Sequence, residues 1–233
     1  MRASVVTALV SAFVLASVGA GSVVEAAPWT ATGEGGVQID WSAGVLKAKG
    51  IGPADRHAPA PAVARTASRR AAELQARARL AKAVRALPLA GGGTVGAAID
   101  KDEAAKGRLA DEIERAPVVE SDLLTDGSSR VTIALGIEAA RQALSGARAV
   151  ASDEQPVTWI VEARRATPAV GWAVEVGGAR WVGPTLWVRE RGAVPPGGVE
   201  ARATSATGGV LAVSGPTAPP PAGALVVVVV PEK

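Results

Sequence analysis

Between residues 62 and 87, apolar positions recur at steps of three and four with no Gly or Pro to interrupt them, the longest helical pattern in the chain. Val63, Ala67, Ala71, Leu74, Ala78 and Ala81 fall on one stripe of a helix of period 3.6, and the pattern predicts that this stripe is buried. Ala and Arg, both strong helix formers, fill most of the other positions. On a helical wheel Arg65, Arg69 and Arg79 lie roughly opposite Leu74, which predicts for them a solvated face.

Ahead of the helix, Val37, Ile39, Trp41, Ala43 and Val45 alternate with small or polar residues. This is the period of a half-buried strand, in which Gly44 marks a bulge. Pro53, Pro59 and Pro61 cannot continue a strand and deliver the chain to the helix. The helix is expected to stop before Pro88, with Gly91, Gly92 and Gly93 as its C-terminal cap and turn. A second helix is expected over residues 95–115, ending before Pro117. Residues 118–124 read as a strand, Asp126-Gly127 as a hairpin turn, and Val131, Ile133, Leu135 and Ile137 as the returning strand. Residues 138–144 read as a short helix ending at Gly146. This order defines an α+β class: a small antiparallel sheet with the long helix and the second helix packed on one face.

Residues 147–156 are polar and irregular and read as a linker. Beyond them lie short β-like runs at residues 158–162, 172–176, 180–182, 186–189, 200–206, 210–214 and 224–230. Gly177-Gly178 and Gly208-Gly209 supply hairpin turns, and the prolines at 195–196 and 219–221 separate other runs. The second half is therefore expected to be a small all-β domain, a sandwich or barrel. The organisation read from the chain is a leader at 1–26, an α+β domain at 27–146, the linker, and the all-β domain at 157–233.

The leader has its own signature. Arg2 precedes an apolar run over residues 3–24, and Val24-Glu25-Ala26 offers small residues where a signal peptidase reads them. Cleavage after Ala26 is expected, giving a periplasmic or secreted product with no transmembrane span, since residues 226–230 are too few to cross a bilayer; the alternative is an uncleaved anchor, the leader's apolar run being nearly long enough to span one. The chain has no cysteine, which excludes a disulfide framework, thiolate chemistry and a lipid anchor on an N-terminal Cys. Its 25 basic and 22 acidic residues leave a formal charge of +3, too mild a balance to imply nucleic acid as partner. Charge is nonetheless segregated. Residues 65–85 carry seven bases and one acid, Glu73, whereas residues 100–115 carry six acids and four bases, so the two helices can lie near each other with complementary charge.

Candidate chemistry is sparse. His57 is the only histidine, in a proline-rich loop with no patterned partner for a metal site or a triad. Gly91-Gly92-Gly93-Thr94 lacks the Lys-Ser/Thr ending of a phosphate loop. Asp100, Asp102 and Glu103 do not have Ca²⁺-loop spacing and read as the acid-rich first turns of a helix. No catalytic residue, metal site or cofactor is therefore expected. Trp159, Trp172, Trp181 and Trp187 cluster in one short region. Each sits in an alternating apolar run, which favours core, but an exposed Trp would supply a rigid contact surface.

One resemblance emerges. The strand Trp41-Ser42-Ala43-Gly44-Val45-Leu46 is followed by a helix with repeated spacings, Ala64-Arg65, Ala67, Arg70-Ala71-Ala72, Ala76 and Leu80-Ala81. Together with the Asp126-Gly127 hairpin and the strand at residues 131–137, this resembles the small outer-membrane lipoprotein domain that also forms the N-terminal part of flagellar assembly protein T. It covers roughly residues 37–144, and weakly the opening of the second half at residues 159–164. The chain departs from the lipoprotein members in lacking the lipid-bearing Cys. The resemblance implies an assembly or envelope-surface role without catalysis. The expectation is an exported, non-enzymatic envelope protein that contacts another envelope protein or itself, using Arg65, Arg69, Arg79 and any exposed Trp. The alternative is a glycan- or peptide-binding module built on the Trp-rich β half.

Overall fold

The computed structural model describes residues 28–146, 157–194 and 197–231. The expected leader and the linker at 147–156 lie outside the described residues. The chain forms an α+β structure with two sheets. The first has five antiparallel strands in the order β1-β2-β3-β5-β4, where β1 is Thr30–Thr32, β2 Gln38–Asp40, β3 Val45–Gly52, β4 Val118–Leu123 and β5 Ser129–Gly136. The long helix α1 (Pro61–Ala86) lies across β3 and β5, and α2 (Val95–Ile99), α3 (Glu103–Arg115) and α4 (Ile137–Ser145) complete the helical layer.

The structure departs from three expectations drawn from the sequence. The single strand expected through Val37 and Val45 is two, joined by a turn at residues 41–44. Gly44 takes φ +66° there, and Asp40 Oδ1 accepts hydrogen bonds from the backbone N–H groups of Ser42 and Ala43. The second helix is also two. Asp102 breaks it, because its carboxylate accepts from Ala105 N and so starts α3 as an N-cap. Finally, Gly91 to Gly93 do not cap α1, whose C-cap is Leu87. They turn the chain between Pro88 and Thr94, which form a bridge. The Asp126-Gly127 turn stands as expected, with Gly127 at φ +82° and Ser128 donating to Asp126 through both its N–H and its hydroxyl.

The largest correction concerns the rotation of α1. Its buried residues are Ser68, Ala72, Ala76, Leu80, Ala83 and Val84, and the expected stripe faces away from the sheet, with Leu74 62% and Val63 49% exposed. The cause is on the facing strand. At Gly50 and Gly52 a Cβ would stand 2.0 Å from Ala72 O and 1.7 Å from Ser68 O, so the helix backbone rests directly on the backbone of β3. Only small side chains fit that contact, and Leu74 cannot turn into it.

The second half is one curled, seven-stranded mixed sheet rather than a sandwich or barrel. Its order is β8-β7-β11-β10-β6-β12-β9, with β6 Thr158–Glu162, β7 Ala173–Val176, β8 Ala179–Val182, β9 Thr185–Val188, β10 Val199–Thr207, β11 Val210–Ser214 and β12 Leu225–Val229. β9, β12, β6 and β10 are mutually parallel, which explains the near-continuous apolar run of β12: a strand buried on both faces has no polar side to alternate with. Val226 and Val228 join the main core, while Val227 and Val229 join Ile160 and Val188 in a smaller cluster on the other face.

The main core continues through both halves of the chain. Trp187 stands at their junction, fully buried, edge-on to Trp29 at 6.5 Å and to Trp172 at 5.9 Å between ring centroids. Its backbone N–H donates to Trp41 O at 3.1 Å, and its backbone carbonyl accepts from Ser42 Oγ at 3.0 Å. A second seam lies at Val170, whose N–H donates to Pro88 O and whose carbonyl accepts from Ala90 N. Among the described residues, no helix is long and apolar enough to cross a membrane.

Candidate interaction surfaces

Two places could meet a ligand or partner, and they differ in kind. The first is the outward face of α1. Ala67, Leu74 and Ala78 are exposed and Ala71 and Ala81 half-buried along it, an apolar stripe of helical spacing covered by no other element among the described residues. Exposed Arg70 and Lys82 flank the stripe. Arg77 and Arg85 also border it but are engaged: Arg85 Nη2 reaches both carboxylate oxygens of Asp100 at 2.8 Å, and Arg77 donates to the carbonyls of Glu114 and Ala116. Charge complementarity between the basic helix and the acidic segment is thus realised at these two contacts.

The arginines singled out from the sequence are not on this outward face. Arg79 sits beside the buried stripe and donates from Nη1 to Lys49 O at 2.8 Å, tying the helix to β3. Arg69 pairs with Glu73 at 3.0 Å. Arg65 is exposed on the first turns of α1, residues 61–67, none of which is buried. The wheel relation to Leu74 is right, but with the helix turned over, the apolar stripe is the solvent face.

Nor do the tryptophans form a surface. Trp159, Trp172 and Trp187 are buried. Trp181 is half-buried, its indole N–H donating to Pro221 O at 3.2 Å and its ring lying against Gly183, where a Cβ would stand 2.3 Å away. Trp29, not singled out from the sequence, is partly exposed and carries the Arg189 guanidinium 5.1 Å from its ring centroid.

The second place is a cleft of about 640 Å³ beside the C-terminal ends of β6, β9 and β12. Ile160 and Val229 lie within it, and Arg189, Arg191, Arg202, Glu162, Glu190 and Glu200 bring charge to it. Much of that charge is matched internally. Arg191 is hydrogen-bonded to Glu200, and Arg202 and Arg164 approach Glu162 at 3.4 and 3.5 Å. The Arg191 guanidinium, by its hydrogen bond first and its charge second, holds the Glu200 carboxyl below the usual glutamate range. Glu200 is thus held as the ionised partner of Arg191. The cleft suits a ligand carrying both signs of charge, which would exchange with these pairs.

The remaining sequence candidates sit apart. His57 is exposed in the loop before α1, its backbone N–H donating to Asp55. Asp100 ends α2, Asp102 caps α3 and Glu103 pairs with Lys106. No protein-family model matches the chain, and neither a curated protein nor a solved structure matches it.

Proposed function

We propose that this is an exported, non-enzymatic envelope protein that works by contact with another protein chain, and that the contact surface is the outward face of α1. The observation that carries the reading is Leu74. A large apolar side chain 62% exposed at the middle of a helical stripe, with Val63 on the same side, is a costly thing to leave in water and a common feature of a docking face. Flanking by Arg70 and Lys82 gives that face a sign, which suits a partner with apolar and acidic residues. The leader signature supports export, and the resemblance to the outer-membrane lipoprotein domain supports an assembly role.

Crosslinking in intact envelopes, followed by mass spectrometry, tests this. Crosslinks are expected from α1 to a specific chain, and Leu74→Asp is expected to remove them without unfolding the protein, because position 74 faces solvent. Crosslinks that survive Leu74→Asp would move the contact elsewhere. A binding module for a glycan or peptide is the second reading. Its support is the charged cleft beside β6 rather than the tryptophans, and binding lost on Arg191→Ala but kept on Leu74→Asp would favour it.

A further inference from the structure

The helical layer carries two exposed surfaces side by side, and their charges are opposite. α1 presents Leu74, Ala78 and Lys82, with Arg70 one turn before Leu74. α3 presents Glu103, Ala104, Gly107, Ala110, Asp111 and Glu114, all exposed. The two helices meet along a seam fixed by Arg77, which donates to Glu114 O at 3.1 Å and lies 3.6 Å from the Glu114 carboxylate. On one side of that seam the surface is apolar and basic. On the other it is small and acidic.

We propose that the protein associates with a second copy of itself through this layer, α1 of each copy lying on α3 of the other. The inference rests on the reading that the outward face of α1 is a contact surface, and names its partner. A twofold axis running along the seam produces this pairing, because it carries the basic side of one copy onto the acidic side of its mate. Packing α1 against α1 instead would bring the exposed Arg70 and Lys82 of one copy against the same residues of the other, an arrangement that like-charge repulsion disfavours. Gly107, Ala104 and Ala110 on α3 have no bulk to hold the incoming helix away, so Leu74 and Ala78 can reach backbone distance.

The size of the contact sets its strength. α3 has 13 residues, about 20 Å at 1.5 Å per residue. Two such helix overlays with their flanking side chains bury on the order of 1,000 Å², the lower bound for specific association. The dimer is therefore concentration-dependent, and salt weakens it because its charges lie at an exposed rim.

Sedimentation velocity on the full chain as exported, with circular dichroism to verify folding, tests the proposal. The wild-type protein is expected to shift from monomer to dimer as concentration rises, and Leu74→Asp to stay monomeric. The pair Arg70→Glu with Lys82→Glu should dissociate the dimer, and so should Asp111→Lys with Glu114→Lys. Mixing those two double variants should restore a dimer containing one of each, since each then offers the sign the other needs. A wild-type chain that remains monomeric at its solubility limit overturns the proposal, as does an α3 reversal that leaves the dimer intact. A monomer whose Leu74-dependent envelope crosslinks lead to a different protein would end self-association while leaving the proposed contact function standing.

Discussion

Ser68 and Gly52 hold α1 against β3: the Ser68 hydroxyl donates to Gly52 O at 2.8 Å, and a Cβ on Gly52 would stand 1.7 Å from the backbone oxygen of Ser68. With Gly50 against Ala72 one turn further along, this contact fixes both the distance of α1 from the sheet and its rotation. Gly50→Ala and Gly52→Ala are each expected to destabilise the fold at or beyond the upper end of the about 1–3 kcal/mol typical of overpacking, because the opposing atoms are backbone and cannot swing aside. Chemical denaturation of the two variants measures this. A loss below about 0.5 kcal/mol, the ordinary surface range, would mean that the helix is not seated there.

That contact also explains what could and could not be read from the chain. The existence of α1, the hairpin turn at Asp126-Gly127, the helix stop at Gly146 and all the β-like runs of the second half correspond to elements in the structure, because each has a strong local signal. The rotation of α1 did not follow from periodicity. Its two opposite stripes are both rich in Ala, and Leu74 on one is matched by Leu80 and Val84 on the other. The deciding signal was on the strand, Gly50-Ile51-Gly52, where two glycines spaced by two leave the C-terminal half of one face of β3 without side chains. The role of Trp187 was hidden for a different reason: its neighbours Trp29, Trp41 and Ser42 lie more than a hundred positions earlier, and no local pattern joins them. Leu74 was legible as apolar and periodic, but whether such a stripe meets the core or another chain is decided by what lies opposite.

Leu80 and Leu74 make a direct test of the rotation. Leu80 is fully buried, so Leu80→Ala is expected to cost about 2–5 kcal/mol. Leu74→Ala in the monomer is expected to stay within about 0.5 kcal/mol of wild type. Denaturant midpoints measured at low protein concentration separate the two, and the reverse order would return α1 to the rotation its periodicity suggests.

Glu200 offers a measurable electrostatic signature. Its carboxyl is held below the usual glutamate range by Arg191, first through their hydrogen bond. A folded-state value below the unfolded one makes the pair's contribution present at neutral pH and lost as pH falls through that lowered value. A carboxyl-carbon NMR titration should place Glu200 below the reference of 4.5, and Arg191→Ala should return it toward that reference. An unchanged midpoint in the variant would assign the shift to another neighbour.

The last expectation concerns the junction between the two halves. Ser42 Oγ accepts from Trp29 N at 2.8 Å and donates to Trp187 O at 3.0 Å, so one hydroxyl satisfies a backbone donor before β1 and a backbone acceptor on β9. Ser42→Ala leaves both without that partner in a partly buried place, at a cost of about 1–3 kcal/mol for the stranded groups. Trp187→Ala removes the ring that Trp29 and Trp172 pack against, at about 3–5 kcal/mol. Because Ser42 and Trp187 touch, their effects should not add: the double variant is expected to lose less than the two single losses combined. A strictly additive cycle would show that the hydroxyl and the indole stabilise the junction independently, and that the Ser42 bridge is not what aligns Trp187.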